Sequence, residues 1–388
     1  MLKKTQHLTI AIVATILAAC GSNHNAPLYY QSGESLSSFD QDTFEEYVSE
    51  TQAWMRAERY YLTEDKEREI ALNSPKEYRP YKMNGEAILL VHGLGDSPYS
   101  FIDIAQRLSD QGYLVRTMLL PGHGTKVGDL KLVSAKLWQQ SVEQQIKLLQ
   151  REVNSVWLGG YSTGANLVTS YALNDDSLNG LILFSPAFKA QSNLAPMTLW
   201  AQYFMDWADQ DPEDNYLRYG SLPMKAAASY YETTQHVQQQ LSKAGSYDKP
   251  VFMLLSEGDT VIDKSFAVQQ FTTTFTNPNS HLVWLGDNPP KDQRVSAYSM
   301  NLPSFRVSEG SHMGGLFSPN NKEYGIEGKV RICDNGQPIE DTLKCQSGEP
   351  VWYSSYGYLE PGKVHARLTF NPYFDESIEE LEKVLSKQ

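Results

Sequence analysis

Gly160-Tyr161-Ser162-Thr163-Gly164 follows directly on Ser155-Val156-Trp157-Leu158-Gly159 and runs into an apolar helical pattern at residues 165–173. Residues 155–158 have strand character, so the five residues between form a strand–turn–helix junction. A Gly-x-Ser-x-Gly pattern alone recurs by chance. At such a junction it has a mechanical meaning. The turn holds the serine in a strained conformation that lifts its hydroxyl clear of the sheet, and the two glycines let neighbouring backbone approach. The helix N-terminus behind the serine favours a developing anion. Ser162 is therefore the candidate nucleophile. The competing reading is a serine in an ordinary turn between a strand and a helix.

The surrounding chain repeats the same rhythm. Short apolar strands are expected at residues 87–91, 112–118, 155–158, 178–184, 251–256 and 281–285, with helical patterns at 101–108, 137–153 and 165–173. Continuous apolar strands alternating with helices predict an α/β fold with a mostly parallel sheet covered on both faces. About 60 residues separate Pro186 from Val251, too many for an ordinary crossover. They carry Met197, Leu199, Trp200, Tyr203, Phe204, Met205 and Trp207 in a largely helical pattern and predict an inserted cap, whose aromatics suggest an aliphatic acyl group. Their other reading is a cap that packs on itself.

A serine hydroxyl needs a base at neutral pH. His312, in Glu309-Gly310-Ser311-His312-Met313, is the candidate. His281 opens a strand and would sit at its wrong end. His92 and His123 lie in Gly-rich turns and are expected to hydrogen-bond their own loops. Asp259 follows the 251–256 strand, where ligand-facing residues of parallel sheets lie, and is the candidate acid; Asp263 and Glu257 are rivals. A tetrahedral intermediate also needs two amide donors. The backbone N–H groups of Thr163, after the nucleophile, and Leu94, in Val91-His92-Gly93-Leu94-Gly95, are the candidates.

In order along the chain stand His92-Gly93-Leu94-Gly95-Asp96-Ser97-Pro98, Leu120-Pro121-Gly122-His123-Gly124-Thr125, the Ser162 junction, Gly258-Asp259-Thr260-Val261-Ile262-Asp263 and Ser311-His312-Met313. Together they resemble the monoacylglycerol lipase, carboxylesterase and lysophospholipase group of α/β hydrolases, over roughly residues 85–317. The resemblance implies the α/β-hydrolase fold with an inserted helical cap, a Ser162–Asp259–His312 triad, an oxyanion hole at Leu94 and Thr163, and no cofactor. Two stretches depart from the family pattern: a polar, Pro-containing segment near 287–303, and residues 318–388 beyond the usual end.

The 388 residues carry a formal net charge of −13 and 41% hydrophobic residues, with a mean hydropathy of −0.44. Such an acidic chain is a poor partner for nucleic acid. No apolar stretch reaches the length of a transmembrane helix. Lys3-Lys4 followed by the apolar run 8–19 has the layout of a secretory signal. Its ending, Leu17-Ala18-Ala19-Cys20-Gly21, resembles the bacterial lipoprotein signal, which implies lipidation of Cys20 and sorting to the outer membrane. Several acyl chains would hold the protein stably at a membrane, because one chain binds only marginally. The remaining cysteines, Cys333 and Cys345, are expected to pair in an exported protein. No metal-ligand spacing is present.

The organisation expected is a signal at 1–19, a flexible tether at 20–39, a helical extension at 40–80, core at 81–186, cap at 187–249, and core with a C-terminal extension at 250–388. The function expected is a membrane-tethered serine esterase on lipid-like acyl esters such as monoacylglycerol or lysophospholipid. The alternatives are a serine aminopeptidase on the same fold, which needs a negative site for a free amine, and a non-catalytic envelope lipoprotein.

Overall fold

The computed structural model describes residues 26–386; the expected signal and Cys20 lie outside them. In chain order the strands are β1 (Lys76–Tyr78), β2 (Glu86–Val91), β3 (Leu114–Met118), β4 (Ser155–Tyr161), β5 (Gly180–Phe184), β6 (Trp207–Asp209), β7 (Leu222–Pro223), β8 (Val251–Ser256), β9 (His281–Leu285), β10 (Val295–Tyr298), β11 (Trp352–Ser354) and β12 (His365–Arg367). Eight of them form the central sheet in the order β1-β3-β2-β4-β5-β8-β9-β10. Only β1 runs antiparallel to its neighbour; the other pairings are parallel. This is the α/β-hydrolase sheet.

Alternation along the strands divides the core in two, because successive side chains leave opposite faces of a strand. Ala87, Leu89 and Val91 join one cluster with Leu158, Trp138 and Val237. Ile88 and Leu90 join the other with Trp157, Phe252 and Leu381. Helices cover both faces: Ala135–Glu152, Thr163–Ala172 and Met224–Ala244 the first, Ile102–Asp110 and Phe374–Ser386 the second. With both faces dry, the strands have no polar side to present, which is why they read as unbroken apolar runs.

Ahead of the sheet, Thr43 and Glu46 close a capping box on the helix Phe44–Glu58. Phe44, Tyr47, Thr51 and Met55 form its buried stripe. Tyr47 turns inward because its hydroxyl finds partners there: it donates to Leu119 O and accepts from Leu119 N, each at 3.0 Å.

Three stretches differ from the sequence-based expectation. Residues 26–39 are not a free tether. Tyr29 packs edge-on against Tyr60 at 5.1 Å, Tyr30 lies 4.7 Å from the Trp207 ring, and Tyr30 Oη donates to Asp211 O at 3.0 Å. Their aromatic area overrides the polar composition around them. The 187–249 insertion is helical mainly in Met224–Ala244, whose Ala226, Val237 and Leu241 belong to the sheet-covering core. Residues 187–223 hold only one 3-10 turn, the short helix Thr198–Ala201 and the β6–β7 hairpin. Periodicity shows that a helix forms but not what it docks against. The polar segment near 287–303 contains β10, an edge strand beside β9. Its half-exposed positions hide the apolar signal that a central strand carries.

Candidate active site

β4 ends at Tyr161, and Ser162 occupies the bend before the helix Thr163–Ala172 with φ 53° and ψ −116°. That conformation costs a non-glycine residue roughly 1–3 kcal/mol, so the surroundings must impose it. The flanking glycines show how. A Cβ on Gly160 would lie 2.5 Å from Ala165 N, and one on Gly164 would lie 2.0 Å from Val91 O. The helix is thus pressed directly against β2 and β4, and the turn has no room to relax. Gly164→Ala is expected to destabilise the fold by at least roughly 3 kcal/mol, read as a fall in the denaturant midpoint; a change within about 0.5 kcal/mol would show that the contact gives way easily.

Across the C-terminal edge of the sheet, Ser162 Oγ lies 3.0 Å from His312 Nε2, and His312 Nδ1 lies 2.6 Å from Asp259 Oδ2. The hydroxyl donates to Nε2 when Nδ1–H donates to the carboxylate. Asp259 is buried in the turn after β8. Its Oδ1 accepts from the N–H groups of Val261 at 2.8 Å and Ile262 at 3.2 Å. Those two bonds fix the carboxylate so that Oδ2 faces the imidazole. Spacing alone did not single out Ser185, which follows β5 with φ 41° and donates from Oγ to His312 O at 2.8 Å. It clips the His312 backbone to the sheet. A serine after an apolar strand was visible in the sequence; its partner, far along the chain, was not.

The rival residues are engaged elsewhere. Asp263 caps the helix Lys264–Thr273 through Phe266 N and pairs with Lys189 at 2.8 Å. Glu257 accepts from Asp287 N and Asn288 N. His281 opens β9 and contacts Ser296 Oγ at 2.9 Å. His92 and His123 stitch two loops together. His92 Nε2 accepts from Leu120 N and His123 Nε2 from Gly95 N, both at 3.0 Å. Their Nδ1 atoms face the carbonyls of Gly93 and of Leu120. Burial pushes both imidazoles down, His123 to about 4. They stay neutral and hold the loop that carries Leu94. The insertion braces the same loop, since Tyr219 N donates to Gly95 O at 2.7 Å.

Leu94, Thr163, Ser162 and His312 line a cavity of about 1040 Å³. The aromatics expected to line it do not. Trp200, Tyr203 and Phe204 are 74%, 75% and 84% exposed, because residues 189–206 run over the outside, after Ala187 and Phe188 in the core. Walls come instead from the 209–222 stretch and from the C-terminal extension at 329–346, Tyr356 and Arg367. A disulfide joins Cys333 to Cys345 with their Cα atoms 5.7 Å apart and ties that wall together. Among the described residues no group of three or more His, Cys, Asp or Glu side chains is placed to hold a metal ion.

A family model described as "Serine aminopeptidase, S33" matches residues 84–211. A thermostable monoacylglycerol lipase from Bacillus sp. (strain H-257) is 26% identical over 188 residues, 47% of this chain and 74% of the relative. Among solved structures, the chain is similar to metagenome-derived lipolytic enzymes (20% identity, TM-score 0.47, 55% of this chain and 87% of the other). It is also similar to the monoacylglycerol lipase of Paleococcus ferrophilus (16% identity, TM-score 0.45, 58% and 87%). The sheet order and the strained serine turn give the chain the α/β-hydrolase fold, and it is a hydrolase similar to monoacylglycerol lipases and esterases.

Proposed function

We propose that the protein is a serine carboxylic-ester hydrolase acting on lipid-like acyl esters, monoacylglycerol or lysophospholipid in kind. The observation that carries this reading is the unbroken chain Ser162–His312–Asp259, at 3.0 Å and 2.6 Å, opening on the large cavity. As Ser162 Oγ attacks the ester carbonyl, its proton passes to His312 Nε2, and Asp259 stabilises the imidazolium. The carbonyl oxygen becomes an oxyanion facing the N–H groups of Leu94 and Thr163. Collapse breaks the ester C–O bond, and the alcohol leaves with the proton from His312. Water, deprotonated by the same imidazole, then attacks the acyl-enzyme, and the acid and free Ser162 are released. No cofactor takes part.

Asp209, Asp211 and Asp214 also line the cavity, and acids there favour a second reading, a serine aminopeptidase holding a substrate ammonium. A panel of p-nitrophenyl acyl esters of rising chain length, monoacylglycerol, lysophospholipid and aminoacyl p-nitroanilides separates the two. Turnover of esters with a chain-length optimum is expected. Turnover restricted to aminoacyl substrates would replace the ester reading with the peptidase one.

We also propose that Cys20 is lipidated and holds the enzyme on a membrane, on the strength of the signal-like sequence before it. Cys20→Ser is expected to move the protein from the membrane fraction to the soluble one on centrifugation; unchanged partition would refute the anchor.

A further inference from the structure

Three guanidinium groups face the catalytic cavity, all from parts of the chain outside the motif-bearing core. Arg331 is exposed and donates to Glu349 O at 3.1 Å; the two less exposed ones are Arg218 from the insertion and Arg367 from β12 of the C-terminal extension. Arg218 has a counterion. Its Nε lies 3.5 Å from Asp96 Oδ1, beside the loop that carries Leu94. Arg367 forms no ion pair among the described residues. Its Nη2 donates to the backbone oxygen of Asp334 at 2.8 Å, and its plane lies 4.8 Å from the Tyr356 ring. The Nε atoms of both arginines are shut off from solvent without a hydrogen-bond partner. A partly buried cation with no carboxylate in direct contact is costly, and a buried donor without an acceptor adds to that cost; the Asp334 carboxylate offsets this for Arg367 only from a distance. Here the unpaired group borders a cavity large enough for a ligand.

The two charges also feel each other. Burial, and then the nearby charge of Arg218, push the Arg367 guanidinium down to about 10. Arg218 keeps its charge against burial because of Asp96. An anion held in the cavity beside them would offset that repulsion. Guanidinium groups suit this role, since they hold carboxylate and phosphate oxygens in paired hydrogen bonds. The cavity also holds the acids Asp209, Asp211, Asp214 and Asp334 and the cations Lys329 and Arg331; the charges of Asp334 and Asp211 act on Arg367 without forming an ion pair with it.

We propose that Arg218 and Arg367 form an anion subsite of the catalytic cavity, and that the natural ester carries a carboxylate or phosphate group that sits there. This rests on the ester-hydrolase reading and narrows its substrate class. Neutral esters use the same Ser162 but leave Arg367 without an ion-pair partner.

The test uses the full chain and two matched pairs. p-Nitrophenyl butyrate is compared with mono-p-nitrophenyl succinate, which puts a carboxylate in the acyl half. Monoacylglycerol is compared with lysophosphatidic acid of the same chain, which puts a phosphate in the alcohol half. In Arg367→Gln the anionic-to-neutral ratio of kcat/KM is expected to fall roughly ten- to a hundredfold in at least one pair. Arg367→Lys is expected to lose less, because charge remains and only the paired geometry goes. A fall in the succinate pair alone places the anion in the acyl half, and one in the phosphate pair alone places it in the alcohol half; both support the subsite. Ratios unchanged within roughly twofold in both pairs would overturn it. If the glutamine variant does not fold, the wild-type enzyme gives the answer. Succinate or glycerol 3-phosphate is expected to inhibit p-nitrophenyl butyrate hydrolysis competitively, and inhibition by neither would overturn the subsite. Failure to turn over any of the four esters would instead overturn the hydrolase reading on which the subsite depends.

Discussion

Ser162→Ala is expected to lower kcat on p-nitrophenyl butyrate by about six decades, with the folded state retained. On the proposed mechanism the substitution removes the oxygen that forms the acyl-enzyme. Ser162 Oγ has His312 Nε2 as its hydrogen-bond partner, and the side chain borders the cavity. Its loss therefore leaves no sealed polar group behind. What remains is catalysis from the Leu94 and Thr163 amides and from binding, since such a group acts as a unit and its members' effects do not add. A loss under about tenfold, with the denaturation midpoint unchanged, would mean that another nucleophile does the work.

Asp259→Asn is the second large effect, about four decades in kcat. An amide fits the site. Its oxygen still accepts from Val261 N and Ile262 N, as Asp259 Oδ1 does at 2.8 Å and 3.2 Å. Its NH2 then faces His312 Nδ1, so the imidazole proton moves to Nε2. That nitrogen no longer accepts from Ser162, and the base is lost while the geometry stays. Asp263→Asn makes the contrast. Asp263 caps a helix and pairs with Lys189, whose side chain is half exposed, so its change is expected to cost about 1 kcal/mol of stability and under about tenfold in rate. A larger kinetic loss at 263 than at 259 would reassign the acid.

The choice of Asp259 was legible for a local reason. Asp259 follows the apolar 251–256 strand, which singled it out, whereas the capping role of Asp263 shows only in the fold, where it accepts from Phe266 N. The Ser162 turn was legible because its requirements are local too: two glycines, a strand before and a helix after. The parallel sheet followed from strands that are apolar on both faces. What escaped depends on partners distant in sequence. Nothing near Ser185 announces its bond to His312 O. Tyr29 and Tyr30 sit in a polar stretch and find Tyr60 and Trp207 only in the fold.

The cavity wall shows the same limit more sharply. A run of large apolar groups at 197–205 suggested an acyl pocket, yet Met197, Trp200, Phe204 and Met205 face outward. Hydrophobicity reports that a surface favours leaving water, not which surface it meets. The residues that do line the cavity include Arg218, Arg367 and several acids, which composition alone reads as solvated surface.

The most direct measurement is the mass of the intact protein after reaction with a fluorophosphonate, followed by peptide mapping. One adduct per chain is predicted, on the hydroxyl of Ser162, absent from Ser162→Ala and strongly suppressed in His312→Ala. An adduct on a different residue, or labelling of Ser162→Ala at the wild-type rate, would contradict the account.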